Sequence, residues 1–410
     1  MKRFHILTVA GLLLALAASS ALVQADTSPI HVNNRLRLGW DDNVYQVDDP
    51  SASGLKRKES FRIIEEIEVL ANLNFERTYL GLRYRPSLIW YEDRDNKSTD
   101  VLHDLDFNFI HNFSPSLVLS LSDTLRASQL PELQDENFVV RQDDDNIYNS
   151  AVATLAYTLR PATRIDLSGR YILLKYTESD YVDKSGALVS HDDDNYYSVV
   201  GGLTLHQQLA SQTALMVDGR YQALRYPDAR DTYNRDADSL FAGVGIEQTF
   251  SPQLIGRLRA GVEHRTYDYS GVSDNTCPYG EASVTYLPTP ATRITGSASY
   301  SLYESDISGY LSQERFYGAL SLAHDFTAKL NFYISGAYAL NNYEQDYSFD
   351  QSRRSGDEDT FLISTRLSYR LNRINWFEVG YQFVMLDSDL AGRESYKRNR
   401  VDVGWKIQLF

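Results

Sequence analysis

Apolar and polar residues alternate with a period of two along most of the chain. Arg366 to Leu371 reads R-L-S-Y-R-L, so Leu367, Tyr369 and Leu371 share one side and Arg366, Ser368 and Arg370 the other. Ile165, Leu167, Gly169, Tyr171 and Leu173 alternate with Asp166, Ser168 and Arg170. Leu36, Leu38 and Trp40 alternate with Arg35, Arg37 and Gly39. Side chains of a strand point to opposite faces in turn, so each segment predicts a strand with one apolar and one polar face. No stretch past the leader carries a helical period.

The connections fall into two classes that alternate. Short ones stand at Phe75-Glu76-Arg77, Ser114-Pro115-Ser116, Pro161-Ala162-Thr163 and Ser251-Pro252-Gln253. Long, acidic ones span Gln46 to Lys58, Gln129 to Asp145, Ser179 to Asp194 and Asp346 to Asp359. Short turns at one end and long loops at the other are the asymmetry of an outer-membrane barrel. A secreted sandwich or propeller shares the periodicity but not the two connection classes. The expected fold is all-β: a transmembrane antiparallel β-barrel of about 18 strands with both termini periplasmic. Among the expected strands are 101–113, 278–287 and 360–371.

The first residues change this picture only by removal. Lys2 and Arg3 precede an apolar run from Ile6 to Ala18, and Val23-Gln24-Ala25 places small residues before Asp26. That is the layout of a secretory signal. Residues 1–25 are read as a signal peptide and 26–410 as a single outer-membrane barrel domain. The net charge is −15, or −17 without Lys2 and Arg3, which argues against nucleic acid as a partner. Cys277 is the single cysteine, which excludes an internal disulfide.

The 29 tyrosines suit a wall with one wet and one apolar side. Trp40, Trp90, Tyr148, Tyr197, Tyr226 and Tyr267 lie near strand ends, as do Tyr310 and Tyr343. They are expected to form the aromatic girdle at the membrane interface. The polar faces predict the lumen lining: Arg35, Arg37, Arg83, Arg85, Asp104, Asp106, Asp218, Arg220, Arg257, Arg259, Glu263, Arg366 and Arg370. Both signs occur, with a basic excess. An interior of this strand number is too wide for side chains alone to fill, so a channel is expected.

Two segments carry a family resemblance. Leu36 to Gln46 reads L-R-L-G-W-D-D-N-V-Y-Q, and Tyr157 to Ile165 reads Y-T-L-R-P-A-T-R-I. They resemble the β-barrel porin type 2 family and the EpsL-type outer-membrane barrels of exopolysaccharide operons. Those families usually have Lys-Thr-Ser where this chain has Ala162-Thr163-Arg164. The resemblance implies export of a secreted polysaccharide cargo with a periplasmic polysaccharide export protein. The alternative is a general diffusion porin or a surface structural barrel without specific cargo.

The remaining partners expected are outer-membrane lipid, lipopolysaccharide and the barrel assembly machinery. The terminal Phe410 suits the last of these, although Val401, Val403, Trp405, Ile407 and Leu409 are in phase with one another and Phe410 is not. No cofactor, metal site or enzyme activity is expected. G-x-S-x-G is absent and the histidines are scattered. The clusters Asp143-Asp144-Asp145 and Asp192-Asp193-Asp194 lack the spacing of a calcium loop and read as solvated outer loops.

Overall fold

The alternation is realised as hydrogen-bonded ladders. The computed structural model describes residues 28–48, 56–95, 98–128, 133–135, 138–139, 146–177, 180–182, 188–190, 194–229, 235–269, 272–305, 310–343, 356–390 and 393–409. The predicted leader, Phe410 and the acidic residues Asp143 to Asp145, Asp192 and Asp193 lie outside them.

Eighteen long strands form one sheet. They are β1 (Ile30–Asp41), β2 (Ser60–Asn74), β3 (Thr78–Tyr91), β4 (Thr99–Ser114), β5 (Leu117–Ser128), β6 (Asn146–Arg160), β7 (Thr163–Tyr176), β8 (Tyr196–Ala210) and β9 (Thr213–Arg225). The second half is β10 (Ala237–Ser251), β11 (Leu254–Tyr267), β12 (Asn275–Thr289), β13 (Thr292–Glu304), β14 (Ser312–Asp325), β15 (Leu330–Tyr343), β16 (Gly356–Arg370), β17 (Asn375–Ser388) and β18 (Tyr396–Gln408). Each pairs antiparallel with its sequence neighbours. β1 also pairs with β18, with Arg35 opposite Lys406 and Asp41 opposite Arg400. The sheet therefore closes, and no edge is left. Two short ribbons in the long connections, Leu133–Asp135 with Phe138–Val139 and Asp180–Val182 with Leu188–Ser190, stand outside it.

The closed wall has an apolar outside. Leu38, Phe61, Val244, Leu320 and Val403 are each more than half exposed. Exposed apolar residues also meet across the ladders, for example Leu38 beside Val403, Val244 beside Val217 and Leu88 beside Val101. An unbroken apolar belt of this extent is stable only against hydrocarbon, where every backbone group must already be paired. Among the described residues no helix is long and apolar enough to cross a membrane.

Strands run past the apolar belt into the acidic connections. β4 begins at Thr99, β12 at Asn275 and β16 at Gly356, up to four residues before the expected starts. The pattern marks the belt, whereas the ladder continues as long as both neighbours supply backbone partners. β1 starts and β18 ends at the end of the barrel that bears the short turns, where Leu409 N donates to Val32 O at 2.7 Å.

Candidate functional site: the lumen

Residues opposite the belt line the interior, and cross-strand register decides who meets whom. Arg83 faces Asp106 and Arg85 faces Asp104 across β3 and β4, and Asp104 in turn faces Arg126 on β5. The distances are 2.5 Å for Arg85–Asp104, 3.5 Å for Arg83–Asp104 and 3.7 Å for Arg126–Asp104, and Arg83 also pairs with Asp106. A second chain of ion pairs crosses the closure seam. Arg35 bridges Glu66 at 2.5 Å and Glu378 at 2.9 Å, Arg37 lies 3.0 Å from Glu66, and Arg62 reaches Asp402 at 3.3 Å.

This wall, from β16 through the seam to β5, encloses a recess of about 380 Å³. Seven arginines line it (Arg37, Arg62, Arg83, Arg85, Arg126, Arg366 and Arg400) against three carboxylates, Glu66, Asp104 and Asp402. Arg366 is the least compensated. Its ladder neighbours are Tyr333 and Gly380, and it makes no ion pair among the described residues. Arg366 is exposed to the lumen, so its donors are open to a passing anion and its attraction acts through water.

The opposite wall, β6 to β14, encloses a larger recess of about 550 Å³. Four arginines (Arg170, Arg220, Arg257 and Arg259) and two carboxylates (Glu281 and Glu304) line it, and Asp218 and Glu247 beside it pair with three of the arginines. Arg259 donates to buried Asp218 (Nε to Oδ1, 2.8 Å), and Arg220 lies 3.5 Å from the same carboxylate. Arg257 pairs with Glu247 at 2.6 Å. The guanidinium of Arg220 stacks on Phe241 and Tyr279, 4.6 and 5.0 Å from the ring centres. Tyr279 reaches this position because Gly243 and Gly261 face it. A Cβ at either would collide with the ring or its hydroxyl.

The family model described as Putative beta-barrel porin 2 matches residues 33–409. The chain belongs to that family. It is an outer-membrane β-barrel of porin type. No curated protein matches it by sequence. Among solved structures the porin is similar to Acinetobacter baumannii OccAB4, at 9% identity and a TM-score of 0.45 over 95% of this chain and 100% of that one. It is likewise similar to Pseudomonas aeruginosa OccK3 (OpdO), at 10% identity and 0.43 over 93% and 96%. The siderophore receptor PirA from Acinetobacter baumannii follows at 6% identity and 0.45 over 94% and 81%.

Three of the porin's six expected girdle residues point the other way. Trp40, Trp90 and Tyr197 lie on the outer wall, in phase with Leu38, Leu88 and Val199. Tyr148 and Tyr226 are buried, 4% and 2% exposed, in a lumen-side cluster with Leu174, Tyr176, Tyr196 and Leu224. Tyr267 packs on Val272 and Leu311. Tyr310 and Tyr343 are fully buried against Leu390. Tyr148, Tyr226, Tyr267 and Tyr343 have the parity of the lumen face. Described residues of the connections, such as Ala229, Val272, Leu311 and Leu390, pack against these tyrosines, so the rings meet protein and not lipid.

Arg235, in the connection from β9 to β10, ties these loops together. It is 2% exposed and pairs at 2.6 Å with buried Asp194, which precedes β8. It also donates to Ser305 O at 3.0 Å and Tyr310 O at 3.2 Å, both between β13 and β14, and lies 4.3 Å over the Tyr226 ring. Burial opposes its charge, but Tyr226 and Asp194 more than offset this, and its pKa stands above the ordinary arginine value. A further pair, Arg393–Glu358 at 3.2 Å, ties the β17–β18 connection to the top of β16.

The other expected lumen residues sort by task. Glu263 is 1% exposed and is held by Arg265 at 2.9 Å and Ser239 at 2.8 Å, so it braces the wall. Arg370 stacks on Trp376 and donates to Asn372 O and Arg373 O, closing the last short turn. Arg62 and Arg400 were not expected. Both have the parity of named neighbours, Glu66 and Asp402, so extending the alternation upward would have found them. Tyr279 had no such signal, because its place depends on two glycines of other strands. His103 and His111 face outward, bonded to Tyr84 and Thr78.

Proposed function

We propose that this porin is a conduit for an acidic secreted polysaccharide, received at the short-turn, periplasmic end from a periplasmic export protein. The observation that carries this reading is the arginine-rich recess, with seven guanidinium groups against three carboxylates. A polymer bearing one carboxylate per few sugars would find planar, bidentate donors along one wall. In the opposite recess three of the four arginines are paired with Asp218 or Glu247, so that wall would hold the same chain less fast and it could leave. A general diffusion porin is the second reading. It is favoured by the cross-strand pairing of most lumen charges, which weakens the field a polymer would feel.

The first test is ion selectivity of the purified porin in planar bilayers under a salt gradient. Anions should be preferred. Arg366→Gln, which removes one unit charge, should lower the anion-to-cation permeability ratio by roughly fivefold, the equivalent of the ~1 kcal/mol a unit charge exerts at about 4 Å in water. A cation-preferring wild type sinks the reading. The second test is a deletion strain assayed for surface polymer, which must lose it while small-solute uptake is retained.

Reversal of Arg83, Arg85, Arg257 and Arg259 together is a poorer test of cargo. All four hold carboxylates. The quadruple Glu variant is expected to reach the membrane at a lower folded level, because reversal leaves several partly buried acids facing acids. Heat-modifiable migration on gels measures this, and an unchanged folded fraction would show the pairs to be dispensable.

A further inference from the structure

We infer that the 550 Å³ recess on the β6–β14 wall is a saccharide-binding site that takes pyranose rings whether or not they carry a carboxylate. This deepens the conduit reading and fails separately from it. The volume lies within the ~300–1,000 Å³ of small-molecule sites.

The composition of the lining selects the ligand class. The arginine-rich recess holds seven arginines against three carboxylates and leaves Arg366 without an ion pair among the described residues, although most of its other arginines are paired. In the β6–β14 recess Arg220 and Arg259 share Asp218, and Arg257 is held by Glu247. What the recess offers is aromatic surface beside donors and hydroxyls. Tyr303, half-buried, supplies ring surface for the C–H face of a sugar, and the buried Tyr279 ring backs the wall behind Arg220. The hydroxyls of Ser297 and Ser301 have no hydrogen-bond partner among the described residues, yet line the recess from one face of one strand, four residues apart. Both face inward, opposite Ala319 and Arg315 on β14. Hydroxyls donate and accept, as sugar hydroxyls do.

Arg170, on the facing strand β7, adds a planar donor. Its Nε donates to Ser150 Oγ at 3.1 Å, and among the described residues no carboxylate pairs with it. Its remaining N–H groups can bind a pair of vicinal hydroxyls, or a uronate carboxylate where one is present. The rigidity of the platform is built in. Arg220 is clamped between two rings and Tyr279 is seated against two glycines, so little ordering is needed when a sugar arrives.

The test is calorimetric titration of the full-length porin in detergent with two probes, maltohexaose and a hexameric oligogalacturonate. Saturable binding of both is expected. The double variant Ser297→Val/Ser301→Val should weaken both by about tenfold, the scale of losing one or two net hydrogen bonds. Arg170→Gln should weaken the uronate more than the neutral sugar. Heat-modifiable migration identifies which variants are folded, and the single variant Ser301→Val serves if the double one is not. Absence of binding by wild type, binding of the uronate alone, or undiminished binding by the folded serine variants would each overturn the site. None of these outcomes touches ion selectivity, which reads the other wall.

Discussion

Replacing Arg235 with alanine is expected to loosen the loops at the long-loop end while leaving the barrel folded. The guanidinium holds a carboxylate and two backbone carbonyls drawn from two other connections. Its loss leaves Asp194, itself 2% exposed, as a buried carboxylate without that cation. Breaking one partner of a buried pair costs about 3–5 kcal/mol. The barrel ladders do not depend on this pair, so the cost falls on the loop packing. Tyr226 and Ala229 should leave the lumen-side cluster around Tyr196. Single-channel conductance should rise, and the β9–β10 connection should become open to protease. Arg235→Lys should restore only part of the closure, since one ammonium cannot serve three acceptors in the plane that the guanidinium spans. Wild-type conductance in the alanine variant would show that these loops do not restrict the passage.

The second large effect concerns the outer wall. Leu203 stands at the middle of β8, exposed on the belt side, while Thr204 faces the lumen opposite Asp218. Leu203→Arg is expected to reduce folded barrel sharply, because an arginine at the bilayer midplane costs roughly 2–4 kcal/mol. Thr204→Arg should be tolerated far better, with water and Asp218 to receive the charge. Leu367 lies nearer the short-turn end, three residues before the end of β16. Leu367→Arg should therefore cost less than Leu203→Arg, since the penalty falls to about 0–1 kcal/mol at the interface. Urea titration of barrel refolded into vesicles measures all three. Equal cost at positions 203 and 204 would contradict the face assignment.

Much of this architecture is legible in the sequence because a strand in a closed wall has only two environments. Leu36 and Leu38 must meet lipid, and Arg35 and Arg37 must then meet the lumen, whatever the rest of the chain does. Eighteen such segments joined by alternating short and long connections leave a barrel as the fold, and the face of every expected lumen residue follows from counting. The same logic applies at Tyr148, Tyr226 and Tyr267. Tyr226 and Tyr267 have the parity of the lumen residues Arg220 and Glu263, and Tyr148 that of Ser150, so counting alone turns them inward; the girdle expectation fails because it follows aromatic character at strand ends and not the alternation.

Partnership is the part that tertiary structure alone decides. Asp41 and Arg398 are 357 residues apart and meet only because the last strand closes on the first. Arg85 is paired with a carboxylate and Arg366 is not, although both sit on the polar face of an alternating strand. The difference is that register sets Asp104 opposite one and Gly380 opposite the other. The seat of Tyr279 is made by Gly243 and Gly261, contributed by β10 and β11. Periodicity is a property of one strand and can be read from it. Charge balance, ring packing and loop closure are properties of neighbours, and the sequence does not say how far each strand slides along the next before the wall closes.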